Sequence, residues 1–219
     1  MIWIVKQNEP KSLEEHRNTP GSDYYGLDKT ELRKSLLEEQ GFICAYCMQR
    51  IRGADDTKIE HYQPRNPANE LQYTNLLAVC YGNSKPNRQG VPIDPERFTC
   101  DKKKEDDILQ INPQSEADMK TIYYDQNGRI YSTNEGYQKD LDEVLNLNDE
   151  YGYLIANRKS VLRPIKADLS RVKPGRSALP VLRKWERYCN SKNTAGEYAE
   201  YVGIMRWYIE KQLRKHLKP

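Results

Sequence analysis

The chain has 219 residues, of which 31% are charged and 37% hydrophobic, with a mean hydropathy of −0.95. This length fits one domain or a small core with helical additions. The sequence lacks an apolar stretch of about 18 residues, so no membrane span is predicted, and its first residues become charged too early for a secretory signal. The net charge of +3 does not by itself indicate a nucleic-acid partner. Basic residues cluster at 158–187 and 206–218, which fits either a stripe along nucleic acid or ordinary helix faces.

The first 28 residues contain two prolines and two glycines among polar residues. This pattern predicts an extended N-terminal arm, residues 1–28, with little regular structure. Residues 2–5 of the arm, Ile-Trp-Ile-Val, are apolar. They either dock on a partner protein or pack on the core of their own chain.

A helix is predicted to begin at Asp28 or Thr30, either of which can cap it, and to end at Gly41. Its apolar residues fall on one face: Leu32, Leu36 and Leu37. Apolar and polar residues alternate over 57–62, which predicts a strand. Residues 73–80 form a short apolar run.

Residues 81–99 show no periodicity and predict an irregular excursion. A helix is then predicted from Asp101, an acceptable N-cap, to about Leu109. Residues 121–132 predict a hairpin with a type I′ turn at Asn127-Gly128. The remaining chain is predicted to be helical, with two helices at about 178–190 and 194–217.

Four of the five cysteines form a pattern typical of a metal site: Cys44-x-x-Cys47, Cys80 and Cys100. Such a pattern in a chain without a secretory signal indicates metal rather than disulfides, and a cytoplasmic location. The four thiolates can supply a tetrahedral Zn²⁺ site. The fifth cysteine, Cys189, is interpreted as a small buried residue.

An acid, a histidine and an asparagine lie between the cysteine pairs: Glu60, His61 and Asn75. A zinc site that only stabilises a fold does not need them. Hydrolysis of a phosphodiester requires an activated water, and a neutral imidazole such as that of His61 can act as the general base. One Mg²⁺ or similar ion can neutralise the phosphate and assist the leaving oxygen. The alternatives are a non-catalytic zinc-ribbon module that binds nucleic acid or protein, and a structural subunit that has lost activity.

The order Cys-x-x-Cys, Glu-His, Asn-Leu-Leu-x-x-Cys, Cys-Asp-x-x-Lys resembles an HNH endonuclease with a zinc-ribbon frame. Segments 40–48, 59–64 and 73–83 resemble more narrowly the PtuB subunits of the Septu and retron-associated antiphage systems. The resemblance implies an α+β fold with a zinc-ribbon-framed ββα-metal (HNH) core. That core would span residues 29–112, between the N-terminal arm and a C-terminal region of one hairpin and helices, residues 113–219.

The resemblance also implies roles for individual residues. Glu60 would bind the catalytic metal, with a surface glutamate as the alternative, and Asn75 would pin the loop and orient His61. Asp101 stands where the family usually has His or Asn, and its carboxylate suits Mg²⁺ or Mn²⁺. Lys104 would contact a phosphate, or would be a solvated lysine.

Related PtuB-like proteins occur with PtuA, an ATPase, so the resemblance implies the effector subunit of a bacterial antiphage complex. The chain has no Gly-x-x-x-x-Gly-Lys-Ser/Thr segment, so control by ATP must come from another chain. DNA is expected ahead of RNA as the substrate. The surfaces expected to bind the ATPase are the N-terminal arm and the C-terminal helices.

Overall fold

The computed structural model describes residues 1–86 and 89–217 of the chain. Residues 87–88 of the predicted excursion, and residues 218–219 of the predicted C-terminal region, lie outside the described residues. Within that part, the fold is α+β, as predicted, and consists of two separate two-stranded antiparallel sheets with helices around them. No helix in it is both long and apolar enough to cross a membrane.

The elements follow one another in a simple order. The helices are α1 (Lys11–Arg17), α2 (Thr30–Gln40), α3 (Cys100–Lys104), α4 (Glu116–Met119), α5 (Glu135–Lys139, continued by a π-helical turn at Asp140–Val144), α6 (Tyr153–Ser160), α7 (Arg163–Ser170), α8 (Leu179–Asn190) and α9 (Val202–Leu217). The strands are β1 (Lys58–His61), β2 (Leu76–Val79), β3 (Ile122–Tyr124) and β4 (Ile130–Ser132). Single 3₁₀ turns occur at Ala54–Asp56, Tyr73–Asn75 and Pro95–Arg97.

The N-terminal arm is more ordered than predicted. Helix α1 forms within it because Leu13 is fully buried, while the carboxylate of Glu9 accepts two hydrogen bonds from Arg17, at 2.6 and 2.7 Å. Ile4 is also buried, and its amide donates to the carbonyl of Pro113 at 2.9 Å. The prediction of little regular structure is therefore wrong for Lys11–Arg17, and Ile4 packs on the core of its own chain.

Helix α2 confirms its predicted bounds. The carboxylate of Asp28 accepts hydrogen bonds from the amide and hydroxyl of Thr30, and Gly41 ends the helix in the left-handed conformation at φ 64°. The three predicted leucines are buried. At its last residue, the amide of Gln40 bonds to both the N–H and the C=O of Ala78, so α2 is fixed to β2.

Strands β1 and β2 pair antiparallel, with Glu60 opposite Leu77 and His61 opposite Leu76. Helix α3 follows them and carries Asp101 in its first turn. The predicted helix from Asp101 to about Leu109 is too long. It ends at Lys104 because the next residue, Glu105, has φ 49°, outside the helical region.

The second sheet confirms the predicted hairpin but not its turn type. A type I′ turn needs positive φ at both central residues, and of Asn127 and Gly128 only the glycine has it, at 102°. The side chain of Asp125 instead accepts hydrogen bonds from the amides of Asn127 and Arg129. The turn is therefore a longer loop organised by an aspartate.

The C-terminal helices pack against this hairpin and the cysteine-bearing turn. Helix α8 matches its prediction, whereas α9 begins at Val202 rather than near residue 194, because the side chain of Asn193 caps a tight turn by accepting from the amides of Ala195 and Glu197. Cys189 is buried, as predicted. Arg158, counted above in the first basic cluster, is fully buried and donates to the backbone carbonyls of Gly128 and Leu147, so it is not part of a basic surface.

Candidate metal centre and adjoining acid–histidine site

The four predicted cysteines, Cys44, Cys47, Cys80 and Cys100, form one buried cluster in which all four Sγ atoms lie within 4.8 Å of one another. Neighbouring sulfurs are separated by 3.9 Å (Cys44 to Cys100), 3.7 Å (Cys47 to Cys80) and 3.8 Å (Cys80 to Cys100). A tetrahedron with Zn–S bonds of about 2.3 Å has edges of about 3.8 Å. The cluster can therefore hold a structural metal ion such as zinc.

Two of these sulfurs accept hydrogen bonds from backbone amides, which stabilise them as ligands. The amide of Gln49 donates to Sγ of Cys47, and that of Gly82 donates to Sγ of Cys80, both at 3.4 Å and both from two residues along the chain. Gly82 has φ 58°, and a Cβ there would lie 2.1 Å from the carbonyl oxygen of Thr99. Only glycine allows this close approach of the two chain segments.

The nineteen residues between Cys80 and Cys100 do not separate these ligands in space. The amide of Thr99 donates to the carbonyl of Gly82 at 2.9 Å and closes the excursion at its base. Cys100 itself has φ 55°, which is unusual for a residue with a side chain. Its amide is held by the carbonyl of Leu145 at 2.9 Å, so the surrounding structure maintains this conformation.

Charge on the cluster depends on a bound cation. Burial opposes ionisation of Cys44, but hydrogen bonds from the other three thiols lower its pKa well below the ordinary value. Burial and the neighbouring thiols raise the pKa of Cys100. Without a cation, the thiols therefore ionise unequally, and four thiolates together require a positive ion at the centre.

A buried acid pair lies at the end of β1. Glu60 is 3% exposed, and its Oε1 accepts hydrogen bonds from the hydroxyl of Tyr46 and from Nζ of Lys104, each at 3.0 Å. Asp101 of α3 is a close enough neighbour to raise the pKa of Glu60, and it forms an ion pair with Lys58. The alternative of Glu60 as a surface residue is therefore wrong, as is that of Lys104 as a solvated lysine.

The two carboxyl groups ionise at different pH values. Burial, together with the neighbouring Asp101, raises the pKa of Glu60 to about 8. The pKa of Asp101 is lowered although burial opposes this, because Glu60 and Lys58 donate hydrogen bonds to its carboxylate. The pair therefore holds one proton near neutral pH, on Glu60. A divalent cation would replace that proton, and two such oxygen donors fit Mg²⁺ or Mn²⁺.

His61 follows Glu60 on β1 and is half-buried. Its Nε2 lies 3.0 Å from the carbonyl oxygen of Glu70, which can only accept, so Nε2 carries the proton and Nδ1 is unprotonated. The ring of Tyr24 packs edge-on against the imidazole, with centroids 4.6 Å apart. Burial lowers the pKa of His61, so the imidazole is neutral at physiological pH.

Asn75 fixes the loop that follows β1. Its Oδ1 accepts from the amide of Gln63 at 2.7 Å, and its Nδ2 donates to the carbonyl of the same residue at 3.2 Å. This loop leads to Glu70, whose carbonyl binds His61. Asn75 therefore acts on the histidine through the loop.

Three side chains of this site were not predicted from the sequence: Tyr24, Tyr46 and Lys58. Tyr46 lies between the first two cysteines. Lys58 is two residues before Glu60 on β1, so Lys58 and Glu60 lie on the same face of the strand. Those spacings were signals that could have identified them. Tyr24 belongs to the N-terminal arm, 37 positions before His61, and no local pattern indicates that it lies there.

Comparison with known proteins found no family model that matches this chain and no match among curated proteins.

Proposed function

We propose that the protein is a metal-dependent endonuclease of the HNH type, which hydrolyses phosphodiester bonds of nucleic acid. The observation that carries the proposal is the buried network in which Glu60 pairs with Lys104 and Asp101 pairs with Lys58, on the strand that also carries His61. Two carboxyl groups from a strand and a helix, 41 positions apart in the chain, meet in a buried place where like charges repel. Such an arrangement is costly for folding alone and suits a divalent cation.

Each residue has a definite task in this proposal. His61 accepts a proton from the attacking water at Nδ1, while the carbonyl of Glu70 holds its other nitrogen. Glu60 and Asp101 would hold Mg²⁺ or Mn²⁺, which supplies charge neutralisation at the phosphate and at the leaving oxygen. Lys104 fixes the carboxylate of Glu60 at 3.0 Å. Its sequence-predicted contact with a phosphate remains a prediction.

The cysteine cluster has a structural role in this proposal, with Zn²⁺ as its ion. It joins the turn after α2, the end of β2 and the start of α3, and α3 carries Asp101. Zinc would therefore position one metal-binding carboxylate against the other. Free thiols of this kind persist in a reducing compartment, which supports a cytoplasmic location.

The biological setting is proposed from the resemblance alone. In it the chain is the nuclease subunit of a bacterial antiphage complex, partnered by a PtuA-like ATPase, with DNA ahead of RNA as its substrate. A free nuclease is hazardous to the cell that makes it, and a separate ATPase would provide control.

A non-catalytic zinc-ribbon module is the second candidate, and one observation favours it. Lys58 and Lys104 already pair with Asp101 and Glu60, so both acids have partners without a metal ion. In this alternative, the buried network only fixes α3 against β1.

Cleavage by a His61→Ala variant separates the two candidates. Wild-type protein is incubated with Mg²⁺ or Mn²⁺ and, in separate reactions, with plasmid, single-stranded DNA or total RNA, with and without the ATPase. Loss of the general base is expected to slow cleavage by about 10²–10⁴-fold while zinc content and circular dichroism stay unchanged. His216→Ala, an exposed histidine on α9, is the matched control. Equal cleavage by the His61 variant and the wild type would reject the nuclease mechanism.

A further inference from the structure

An aromatic ring of the N-terminal arm connects His61 to a group of cations. Around the ring of Tyr24 lie the His61 imidazole at 4.6 Å, Nζ of Lys29 at 4.5 Å and Cζ of Arg65 at 5.6 Å, all measured between or to ring centroids. Cations over an aromatic face are held by the ring quadrupole. The arrangement therefore places positive charge beside the candidate general base.

The hydroxyl of Tyr24 lies between two sets of charges. Burial raises the pKa of Tyr24 to about 12, the nearby cations Arg33 and Arg65 lower it, and the carboxylates of Asp101 and Glu60 raise it. Groups of both charges therefore lie near enough to Tyr24 to affect the pKa of its hydroxyl. The two acids pair with Lys58 and Lys104 rather than with the arginines.

Neither arginine has a carboxylate partner in residues 1–86 and 89–217. Arg65 is exposed, stacks on Tyr25 with Cζ 4.5 Å from the ring, and donates to the Tyr25 hydroxyl at 2.5 Å. The Nε atom of Arg33 is buried and makes no hydrogen bond in that part of the chain. A buried donor without an acceptor is uncommon, and a bound ion or water accounts for many such cases.

The neighbouring acids are engaged elsewhere. The carboxylate of Asp28 accepts from the amide and hydroxyl of Thr30, and that of Asp23 accepts from the amide of Gly26 at 2.8 Å. Lys29 donates two of its protons to the carbonyls of Tyr24 and Leu27. It therefore acts as a fixed charge, while the two guanidinium groups retain free donors.

We propose that Arg65, over the ring of Tyr24, and Arg33, one helical turn after Lys29 on α2, form a binding site for a backbone phosphate of the nucleic-acid chain, next to the phosphate presented to His61. Guanidinium groups bind phosphate oxygens through paired N–H donors, and phosphate contacts set the register of a bound strand without reading its bases. This inference rests on the proposed function, because it assigns the groups that hold the substrate of that site. It also gives the N-terminal arm a part in substrate binding through Tyr24 and Tyr25.

The test measures binding without cleavage. Fluorescence anisotropy of short fluorescein-labelled single-stranded and duplex DNA is recorded with full-length protein carrying His61→Ala, between about 50 and 200 mM salt. Adding Arg65→Gln is expected to raise the dissociation constant about tenfold, as for loss of one charged hydrogen-bonded contact. The slope of log K against log salt should fall by about 0.7–0.9. Arg52→Gln, which removes an exposed arginine outside the site, should change neither quantity beyond a small general effect.

Arg33→Gln provides a second measurement. It should weaken binding in the same way while leaving the thermal midpoint unchanged or higher, because a buried unpaired donor is removed. The site is rejected if Arg65→Gln binds like Arg52→Gln, if neither probe binds, or if Arg33→Gln lowers the midpoint without weakening binding. If Arg65 is required for binding while wild-type protein never cleaves, this site stands and the nuclease proposal falls.

Discussion

At the residue scale, a single hydrogen bond defines which nitrogen of His61 is available. The carbonyl of Glu70 can only accept, so the imidazole proton is on Nε2 and the lone pair is on Nδ1. Burial under Tyr24 keeps the ring neutral. The sequence identified His61 by its motif, but the tautomer depends on a loop carbonyl nine residues away.

The lowered pKa of His61 predicts the pH dependence of activity. In the proposed mechanism the neutral ring is the base, so kcat/KM at saturating Mg²⁺ should fall as pH falls, with a midpoint below the ordinary histidine value of about 6.5. Replacing Tyr24 by Ala exposes the ring and should move this midpoint up towards 6.5. The same shift makes folding more stable as pH rises through that window, because the unfolded chain binds the proton more readily. A midpoint above 6.5 in the wild type would contradict this prediction.

Lys58 is expected to compete with the divalent ion. Its ammonium group pairs with Asp101 and its side chain is 37% exposed, so it can move into solvent, whereas Lys104 at 1% cannot. Lys58→Met should therefore tighten Mn²⁺ binding a few-fold, as expected for loss of an ion pair worth up to ~1 kcal/mol. Calorimetric titration of zinc-loaded protein measures this. Lys85→Met, which breaks the exposed pair with Asp56, is the control, and weaker binding by Lys58→Met would show that Lys58 supports the site instead.

The environment of Glu60 could be predicted only in part. Strand alternation places Glu60 and His61 on opposite faces, and the structure buries the glutamate more deeply. Its partners come from distant segments: Tyr46 from the cysteine turn and Lys104 from α3. Lys104 is the last of three consecutive lysines, and no local pattern indicates that its side chain is the buried one. Its burial depends on how α3 packs against the sheet.

At the element scale, the cysteine turns were predictable and the boundaries of α3 were not. The two-residue spacing of Cys44 and Cys47 predicts the first turn locally. Helix α3 ends at Lys104 because Glu105 has positive φ. Glutamate rarely adopts this conformation, so the sequence does not predict it. The excursion before it is closed by the pairing of Gly82 with Thr99, a contact between positions too far apart for pattern analysis.

Replacing Gly82 by Ala tests this closure. The left-handed backbone alone should cost about 1–2 kcal/mol, and the new Cβ would clash with the carbonyl of Thr99 at 2.1 Å. We expect a lower thermal midpoint and faster zinc loss to a chelator, because the same turn presents the amide that bonds to Cys80. Gly53→Ala is the matched control, since its extended backbone suits any residue and nothing lies within 4 Å of its Cβ. Equal stability of the two variants would contradict the role of the turn.

At the scale of the whole molecule, the arm joins regions that the sequence presents as separate. The amide of Ile4 donates to the carbonyl of Pro113, Tyr24 packs on His61, and the indole N–H of Trp3 donates to the carbonyl of Gln114 at 3.1 Å. Composition predicted an irregular arm because its residues are polar and contain proline and glycine. Its contacts are long-range, so no local pattern could reveal that it completes the site.

The outer face of the arm is the surface that we expect to bind the proposed ATPase partner. Trp3 and Val5 are 45% and 48% exposed, while Ile4 between them is 6% exposed. Alternation of this kind leaves two apolar side chains in water, and aromatic residues are enriched at interfaces. Trp3→Ser combined with Val5→Ser should therefore abolish co-purification with the ATPase and leave the free energy of unfolding within about 0.5 kcal/mol of the wild type. Ile4→Ala is the contrasting variant and should destabilise the fold by about 2–5 kcal/mol. Co-purification that survives in the double variant would move the partner's binding surface elsewhere, and the C-terminal helices would be the next to test.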